Sequence, residues 1–401
     1  MSTKKINLNV NLMLSFIVFS MLLNSMSVII LQLSQNQQHS YTGLGMLEFF
    51  KDIPIALVSI FMVDYIKKRS YYSSLSIALI ICTLCSFTIP FVSEFWFLKI
   101  WFILIGISFS IGKICVFSII KNISDNEKDF SKTMSRTEAA FMLGVFIVNI
   151  EFAIILNSDY KDYWKFGFWL VGIISSWAAF QFYRIDKQNV YEIDKSQGKE
   201  VIDFRILFDY KSILFFTIVV IIVFTEQIFN SWLPTFYKHT LKADSFFALQ
   251  SSAFLALFSF IGRLLASKAV VKFSPMKIFF FCLISGIILT SSAYIIGQDT
   301  DVKVKILMFL FPMVGIFTAP LYPMLNSKYL SKFSERRVGK IVSIIILFTS
   351  LGGSIGSMST AYIFQKNLGN YYLLFATIPL ILILIFSTFF SIKEKISEYI
   401  K

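Results

Sequence analysis

A carboxylate interrupts an otherwise apolar stretch near the middle of the chain. The stretch IIVFTEQIFNSWLPTF covers residues 221–236, and Glu226 and Gln227 lie inside it, one residue after the end of FFTIVVIIVF. A charged carboxylate at the centre of a membrane helix costs about 2.5–3.5 kcal/mol, and low-dielectric surroundings favour its neutral, protonated form. The sequence therefore predicts that Glu226 binds a proton reversibly. The alternative interpretation is that Glu226 forms a structural ion pair.

Two further acids fall within apolar segments. In MLEFFKDIP, the spacing of Glu48, Lys51 and Asp52 places the three side chains on one helix face. This pattern predicts a hydrated cluster at the outer rim of a helix, with Asp52 the deepest member. Glu151 lies too deep in its segment to be dismissed as a surface acid. Asp52 and Glu151 are therefore the next candidates for a proton-coupling acid.

A lysine lies between apolar turns in ISFSIGKICVF. The long stem of Lys113 allows its ammonium to reach the cytoplasmic surface while the methylenes stay in the bilayer. In the second interpretation, Lys113 faces a central cavity, where it pairs with a buried acid or binds an anionic substrate. The sequence leaves both interpretations open.

Amide and aromatic side chains supply the remaining candidates for substrate binding. Amides inside a membrane bind a polar ligand or bridge helices, and aromatic rings stack on a sugar ring or pack against other helices. The candidate substrate-binding residues are Asn24, Lys113, Asn149, Gln227, Trp232 and Tyr322.

The composition identifies the elements that must position these residues. The 401-residue chain is 56% hydrophobic and only 15% charged, whereas soluble domains are about 25% charged. A membrane span needs about 20 mostly apolar residues, and the chain offers twelve such segments. They cover residues 9–31, 45–66, 71–92, 95–120, 134–156, 163–184, 211–236, 245–267, 275–297, 303–326, 338–364 and 370–392.

Charge is distributed unevenly between the loops. The formal net charge of +13 collects mainly in alternate loops, as the positive-inside bias requires, although outer loops also carry some lysines. We expect cytoplasmic termini, a bacterial inner-membrane location, and a lipid-embedded monomer that binds no nucleic acid. The polar stretch at 185–210 predicts a cytoplasmic linker between six-helix bundles at 1–184 and 211–401.

Signatures of enzymes are missing from the sequence. No Walker loop, zinc-spaced ligand set or Gly-x-Ser-x-Gly occurs. The pair in ICTLC has a CxxC spacing, but no second pair or nearby histidine accompanies it. We therefore expect no enzymatic activity, no cofactor and no metal site.

The twelve-segment pattern resembles the major facilitator superfamily over essentially the whole chain. The turn with Asp64, Lys67, Lys68 and Arg69 is similar to its loop motif, without the usual glycines. The resemblance implies an all-α membrane protein with two pseudo-symmetric six-helix bundles around a central site. Residues near the inner helix ends are then expected to act in gating. These candidates are Asp64, Arg69, Glu138 and Arg263.

The second half is similar to the fucose–galactose–glucose/proton symporter family. The similarity lies in EQIFNSWLPTF, FIGRLLASKAVVKFSPMK, FPMVGIFTAPLYPMLNSKYL and GKIVSIIILFTSLGGSIG. It implies proton-coupled uptake of a small-molecule substrate, a hexose, deoxyhexose or amino sugar. Fucose permeases carry a carboxylate at about the position of Lys113, so the lysine suggests a modified mechanism or an anionic sugar.

Two other functions remain open from the sequence. A proton-antiport exporter of a drug or metabolite would be favoured by a proline-and-glycine signature in the fifth segment, but AAFMLGVFIVNIEF has one glycine and no proline. A transporter-like sensor that binds without moving its ligand would usually need an added signalling domain or a partner.

Overall fold

The structure is a computed structural model that describes residues 3–35, 41–62, 65–66, 69–92, 94–125, 127–188, 209–297, 307, 310–333 and 335–399. Throughout these ranges the regular structure is helical. Helices satisfy their backbone hydrogen bonds within one segment, which the hydrocarbon of a bilayer requires. The all-α fold class predicted from the apolar segments is confirmed.

The described helices follow the predicted segments closely in the first half of the chain. Short 3₁₀ helices, Ile89–Phe91 and Lys161–Gly167, extend two of them. The α-helices are α1 (Thr3–Asn24), α2 (Met26–Gln35), α3 (Tyr41–Phe61), α4 (Tyr71–Thr88), α5 (Phe95–Ile123), α6 (Glu127–Leu156) and α7 (Phe168–Lys187).

The second half repeats this agreement, with a π-helical turn at Phe236–Thr240 and a 3₁₀ turn at Gly369–Tyr371. Most of the predicted linker, 189–208, lies outside the described residues. The α-helices are α8 (Tyr210–Thr235), α9 (Ser245–Ala269), α10 (Pro275–Gly297), α11 (Val314–Thr318), α12 (Leu321–Leu330), α13 (Glu335–Gln365) and α14 (Tyr372–Tyr399).

Within the described ranges, ten helical spans are long and apolar enough to cross a membrane. Two of the twelve predicted segments are not among them. The segment 45–66 forms α3, which has sufficient length but carries Glu48, Lys51 and Asp52. The segment 303–326 is described only in part, where it forms α11 and the start of α12.

Prolines interrupt the tenth predicted segment. Helix α11 ends at Thr318, and Pro320 directly precedes α12. Proline cannot donate a backbone hydrogen bond, so carbonyls nearby become available to other groups. The carbonyl of Ala319, four residues before Pro323, is used by an arginine described below.

Among the described residues, the two most extensive helix contacts between the halves of the chain are those of α3 with α13 and of α6 with α9. Along the first pair, the buried hydroxyl of Ser59 donates to the carbonyl of Ser343 at 3.0 Å. Helix α13 also approaches α8 closely, because a Cβ added at Gly356 would lie 2.7 Å from the carbonyl oxygen of Phe224. These contacts surround a central polar cavity.

Candidate functional site

A cavity lies between the two halves and is lined by helices from both. Its volume is about 130 Å³, and since one water needs about 10–15 Å³ by this measure, it has room for a small polar molecule. The charged side chains in its lining are Lys51, Asp52, Lys113, Glu138, Glu226 and Arg263. Neutral polar side chains in the lining include Asn24, Gln227, Asn230, Tyr322, Thr349 and Ser350.

Arg263 is the best-connected charged group of this site. Its side chain is 2% exposed, and Nε donates to the carbonyl of Ala319 at 3.0 Å. Nη1 donates to the carbonyl and to Oε2 of Glu138, at 2.9 and 3.1 Å. Nη2 donates to Oε1 of Glu226 at 3.4 Å. The planar guanidinium offers five donors, and Arg263 uses them to hold α6, α8 and α9 together.

Glu226 and Glu138 share this one cation. The Glu138 side chain is 7% exposed and the Glu226 side chain is 21% exposed, so Glu226 is the more open to the cavity. The sequence predicted proton binding for Glu226 and placed Glu138 and Arg263 near inner helix ends. The structure brings all three into the cavity lining, because the long arginine side chain reaches from the last turns of α9 to the level of Glu226.

Lys113 faces the cavity, which is one of the two interpretations left open by the sequence. Its ammonium donates to the hydroxyl of Tyr322 at 3.0 Å. The rings of Phe109, Phe117 and Tyr322 have their centroids 5.6, 5.7 and 5.0 Å from Nζ, within the range of cation–π attraction. Tyr322 and Lys113 therefore lie together in the site, as a contact between the two halves.

A second charged cluster lies on α3. The Lys51 ammonium contacts a carboxylate oxygen of Glu48 and lies 3.8 Å from Oδ1 of Asp52. The sequence predicted a hydrated rim here, and this prediction is wrong, since Glu48 is 0%, Lys51 7% and Asp52 6% exposed. Side chains of α8 and α13 contact this face of α3.

Neutral groups from the second half complete the α3 cluster. Oε1 of Glu48 accepts from the Gln227 amide at 2.7 Å and from the Ser231 hydroxyl at 2.9 Å. Oδ2 of Asp52 accepts from the hydroxyl of Ser354 at 2.9 Å. Sequence reasoning missed Ser231 and Ser354 as site residues. The four-residue spacing of Gln227 and Ser231 on one helix face was the available signal for the first.

Three predicted site residues lie outside the cavity lining. Trp232 stacks on Phe364 and donates to Ser357 at 3.0 Å. Its ring is buried in helix packing, so the predicted contact with substrate does not fit this position. Asn149 in α6 donates to the carbonyl of Val145 at 2.8 Å and accepts from a serine in α2, which makes it a bridge between helices.

Glu151 is the third of these residues. It lies on α6 beside Gly167, at the junction with α7, rather than among the residues that line the cavity. One of its oxygens is buried without a hydrogen-bond partner in the described part of the chain. Proton coupling through Glu151 would therefore need a route other than the central cavity.

The loop residues predicted to act in gating are only partly described. Asp64, Lys67 and Lys68 lie outside the described residues. Arg69 is exposed, and its guanidinium donates to Ser73 at 3.4 Å and to Tyr65 at 3.3 Å. These partners are local, so a gating role for Arg69 stays a prediction.

Membrane-spanning helices from two halves, packed around a central polar cavity, define the class of a membrane transporter. The model of the Major Facilitator Superfamily matches residues 8–357. The chain therefore belongs to the Major Facilitator Superfamily. It is an integral membrane protein of transporter type and not an enzyme. A sequence comparison with curated proteins found no match.

Solved structures share this fold at low sequence identity. A D-xylose–proton symporter is 16% identical with a TM-score of 0.72, covering 94% of this chain and 96% of its own. The E. coli fucose:proton symporter is 15% identical with a TM-score of 0.70, covering 95% and 98%. The human organic anion transporter is 12% identical with a TM-score of 0.68, covering 94% and 97%. At these identities the likeness establishes the fold alone.

Proposed function

We propose that this transporter couples proton entry to the uptake of a sugar or sugar derivative by alternating access. The observation that carries the proposal is the sharing of Arg263 by Glu138 and Glu226 at the wall of a polar cavity between the two halves. Two carboxylates on one cation leave an excess negative charge, which one proton removes. Acids inside a membrane commonly mark proton relays and substrate pathways.

Glu226 is the acid that we assign to proton coupling. Of the two carboxylates on Arg263 it is the more exposed, and its contact with Nη2 is longer, at 3.4 Å, than that of Glu138 with Nη1, at 3.1 Å. Water in the cavity gives Glu226 a route for proton exchange. Protonation would weaken its hold on Arg263, while Glu138 keeps its own contacts with the guanidinium.

The cavity lining supports a sugar-sized polar substrate. The amides of Asn24, Gln227 and Asn230 line it together with aromatic rings that include Phe109 and Tyr322. Amides can both donate to and accept from sugar hydroxyls, and a ring can pack against the apolar face of a sugar. Two of the structures that share the fold are described as sugar–proton symporters.

Alternating access would act on the contacts between the halves. In the proposed organisation, bundles 1–184 and 211–401 rock about a central site, joined by a cytoplasmic linker at 185–210. The Arg263–Glu138 ion pair joins these bundles directly, so it is positioned to break and reform during transport. Asp64, Arg69, Glu138 and Arg263 remain the proposed gating residues.

We further propose that both termini are cytoplasmic, from the charge bias of the loops, and that the protein is a monomer in a bacterial inner membrane. Single cysteines introduced at His39 and Ser196 test this orientation in intact cells. A membrane-impermeant thiol reagent should label the first position and spare the second. The reverse labelling would overturn the orientation.

Flux through reconstituted protein tests the function itself. A thermal-shift screen of neutral sugars, amino sugars and sugar acids first selects a substrate for the purified chain. Proteoliposomes with an inwardly directed proton gradient should then accumulate that sugar. Extrusion driven by the gradient would indicate an antiporter instead, and binding without flux would indicate a sensor.

A further inference from the structure

We infer that the substrate of this cavity is a sugar that carries one carboxylate, such as a uronate, and that Lys113 receives the carboxylate. The inference rests on the proposed function and specifies its substrate class. It depends on how the charges of the lining are paired with one another.

The described acids of the site are already engaged by other cations. Glu138 and Glu226 contact Arg263, and the acids of α3 contact Lys51. Among the described residues, no carboxylate lies within ion-pair distance of Lys113, whose hydrogen-bond partner is the hydroxyl of Tyr322. An ammonium has three donors, so Lys113 keeps capacity for a ligand.

The surroundings of Lys113 hold it as a cation at the cavity wall. Its side chain is buried, and three aromatic rings lie 5.0–5.7 Å from the ammonium. Ring faces attract a cation, but they supply no negative charge. Glu138 and Glu226 act on this ammonium only from beyond ion-pair distance. Since a buried charge without a paired counter-ion is costly, the paired partner of Lys113 is best supplied by the ligand.

Counting charges gives the valence of that ligand. Each pair of acids shares one cation, so each cluster is neutral in the state in which its pair of acids has bound one proton. The ammonium of Lys113 then remains as a single positive charge in the lining. A neutral sugar leaves this charge uncompensated, whereas one carboxylate balances it.

The rest of the lining fits the uncharged part of such a substrate. Arg263 directs its guanidinium to Ala319, Glu138 and Glu226, so it offers less to an incoming anion than Lys113 does. Asn24 and Asn230 present amides to the same cavity. Sugar hydroxyls can bind these amides while the carboxylate binds Lys113.

The test is equilibrium binding to the purified full-length chain at one fixed pH. Two matched pairs of ligands are compared, D-glucuronate with D-glucose and D-galacturonate with D-galactose, with acetate as a plain carboxylate. We expect at least one uronate to bind more tightly than its neutral partner and than acetate. Lys113→Met should weaken uronate binding by about 10- to 100-fold, the effect of losing a charge-assisted hydrogen bond. Lys113→Arg should restore part of it.

A lysine on the same helix provides the control. Lys99 also lies in α5 and is 5.2 Å from the ring centroids of Phe50 and Phe95, but it does not line the cavity. Lys99→Met should leave uronate binding unchanged, which separates a local effect from loss of a lysine on α5.

Four results overturn the inference. Tighter binding of the neutral sugars, or unchanged uronate binding in folded Lys113→Met, removes the anionic class while sugar transport stands. Acetate binding as tight as uronate binding shows a general anion site. Failure of all four sugars to bind, where other compounds do, overturns the sugar proposal as well.

Discussion

The cavity holds two charged clusters of the same composition, each with two carboxylates and one cation, but they are built differently. In the Arg263 cluster, Glu138 comes from the first half of the chain, whereas Arg263 and Glu226 come from the second. In the α3 cluster, Glu48, Lys51 and Asp52 all belong to one helix. Relative movement of the halves must therefore separate charges in the first cluster, while the second can move as a unit.

The α3 cluster is linked to the second half by hydrogen bonds whose donors are uncharged. The amide of Gln227 and the hydroxyls of Ser231 and Ser354 donate to its carboxylates. Hydrogen bonds between side chains of membrane helices contribute about 0.6 kcal/mol each on average, which is less than the roughly 3–5 kcal/mol lost when a buried ion pair is broken. We infer that the Arg263 cluster has the larger effect on the equilibrium between the conformations of the transporter and that the α3 cluster has a smaller one.

The largest expected effect is that of Arg263→Met. This change leaves Glu138 and Glu226 buried without a cation and removes hydrogen bonds to two backbone carbonyls. Breaking a buried ion pair costs about 3–5 kcal/mol, so we expect a lower unfolding temperature and gradient-driven uptake at background. Thermal unfolding in detergent and uptake into proteoliposomes measure the two effects.

Lys51→Met sharpens the comparison, because it also leaves two carboxylates without their cation but breaks no contact between the halves. It should lower the unfolding temperature less than Arg263→Met does. The exposed Arg184 serves as a control, and Arg184→Met should behave as the wild type. Equal losses for Arg263→Met and Lys51→Met would contradict the distinction between the clusters.

Asp52→Asn should have an intermediate effect. The variant keeps a side chain that accepts from Ser354 but removes one charge from the α3 cluster, where Glu48 still pairs with Lys51. We expect the transport rate to fall by about tenfold, the lower end of the effect of losing one charge-assisted hydrogen bond, with gradient-driven accumulation retained. Initial rates and final accumulation are measured separately. Asp159→Asn, the same substitution at an exposed residue, is the control. Loss of accumulation would transfer the coupling role to Asp52.

Ser354→Ala should have the smallest effect. It removes one hydrogen bond from an uncharged hydroxyl on α13 to the Asp52 carboxylate on α3, and hydrogen bonds between membrane helices contribute about 0.6 kcal/mol on average. A change of a few-fold or less in transport rate is expected, against Ser176→Ala on α7 as control. A loss as large as that of Arg263→Met would show that the neutral links, too, control the equilibrium.

Sequence reasoning predicted the helices well because hydropathy and length determine where a chain crosses a bilayer. It also found the cavity residues whose charge is unusual for a membrane, including Lys113, Glu226 and Arg263. It could not place Glu48, since a helix start at the membrane surface usually faces water. Helix α8 covers that start, and this packing is a tertiary contact that no local pattern contains.

The aromatic residues show the same limit. The sequence predicts a sugar-stacking role equally for Trp232 and Tyr322. In the structure, Tyr322 lines the cavity, whereas Trp232 packs against Phe364. Which face of a helix meets the cavity depends on the rotation of that helix against its neighbours. The rotation of α6 likewise turns Glu151, a candidate proton-coupling acid in the sequence, toward the junction with α7.

Glu226→Gln tests the central claim most directly. Proteoliposomes are loaded with the sugar that the thermal-shift screen selects, and the variant is compared with wild type and with Glu151→Gln, an acid outside the cavity lining. We predict that Glu226→Gln abolishes accumulation driven by a proton gradient but retains exchange of labelled sugar between equal pools, which needs no net proton movement. Glu151→Gln should keep both activities. Accumulation against a gradient by Glu226→Gln would contradict the account, because the proton would then be carried by another acid.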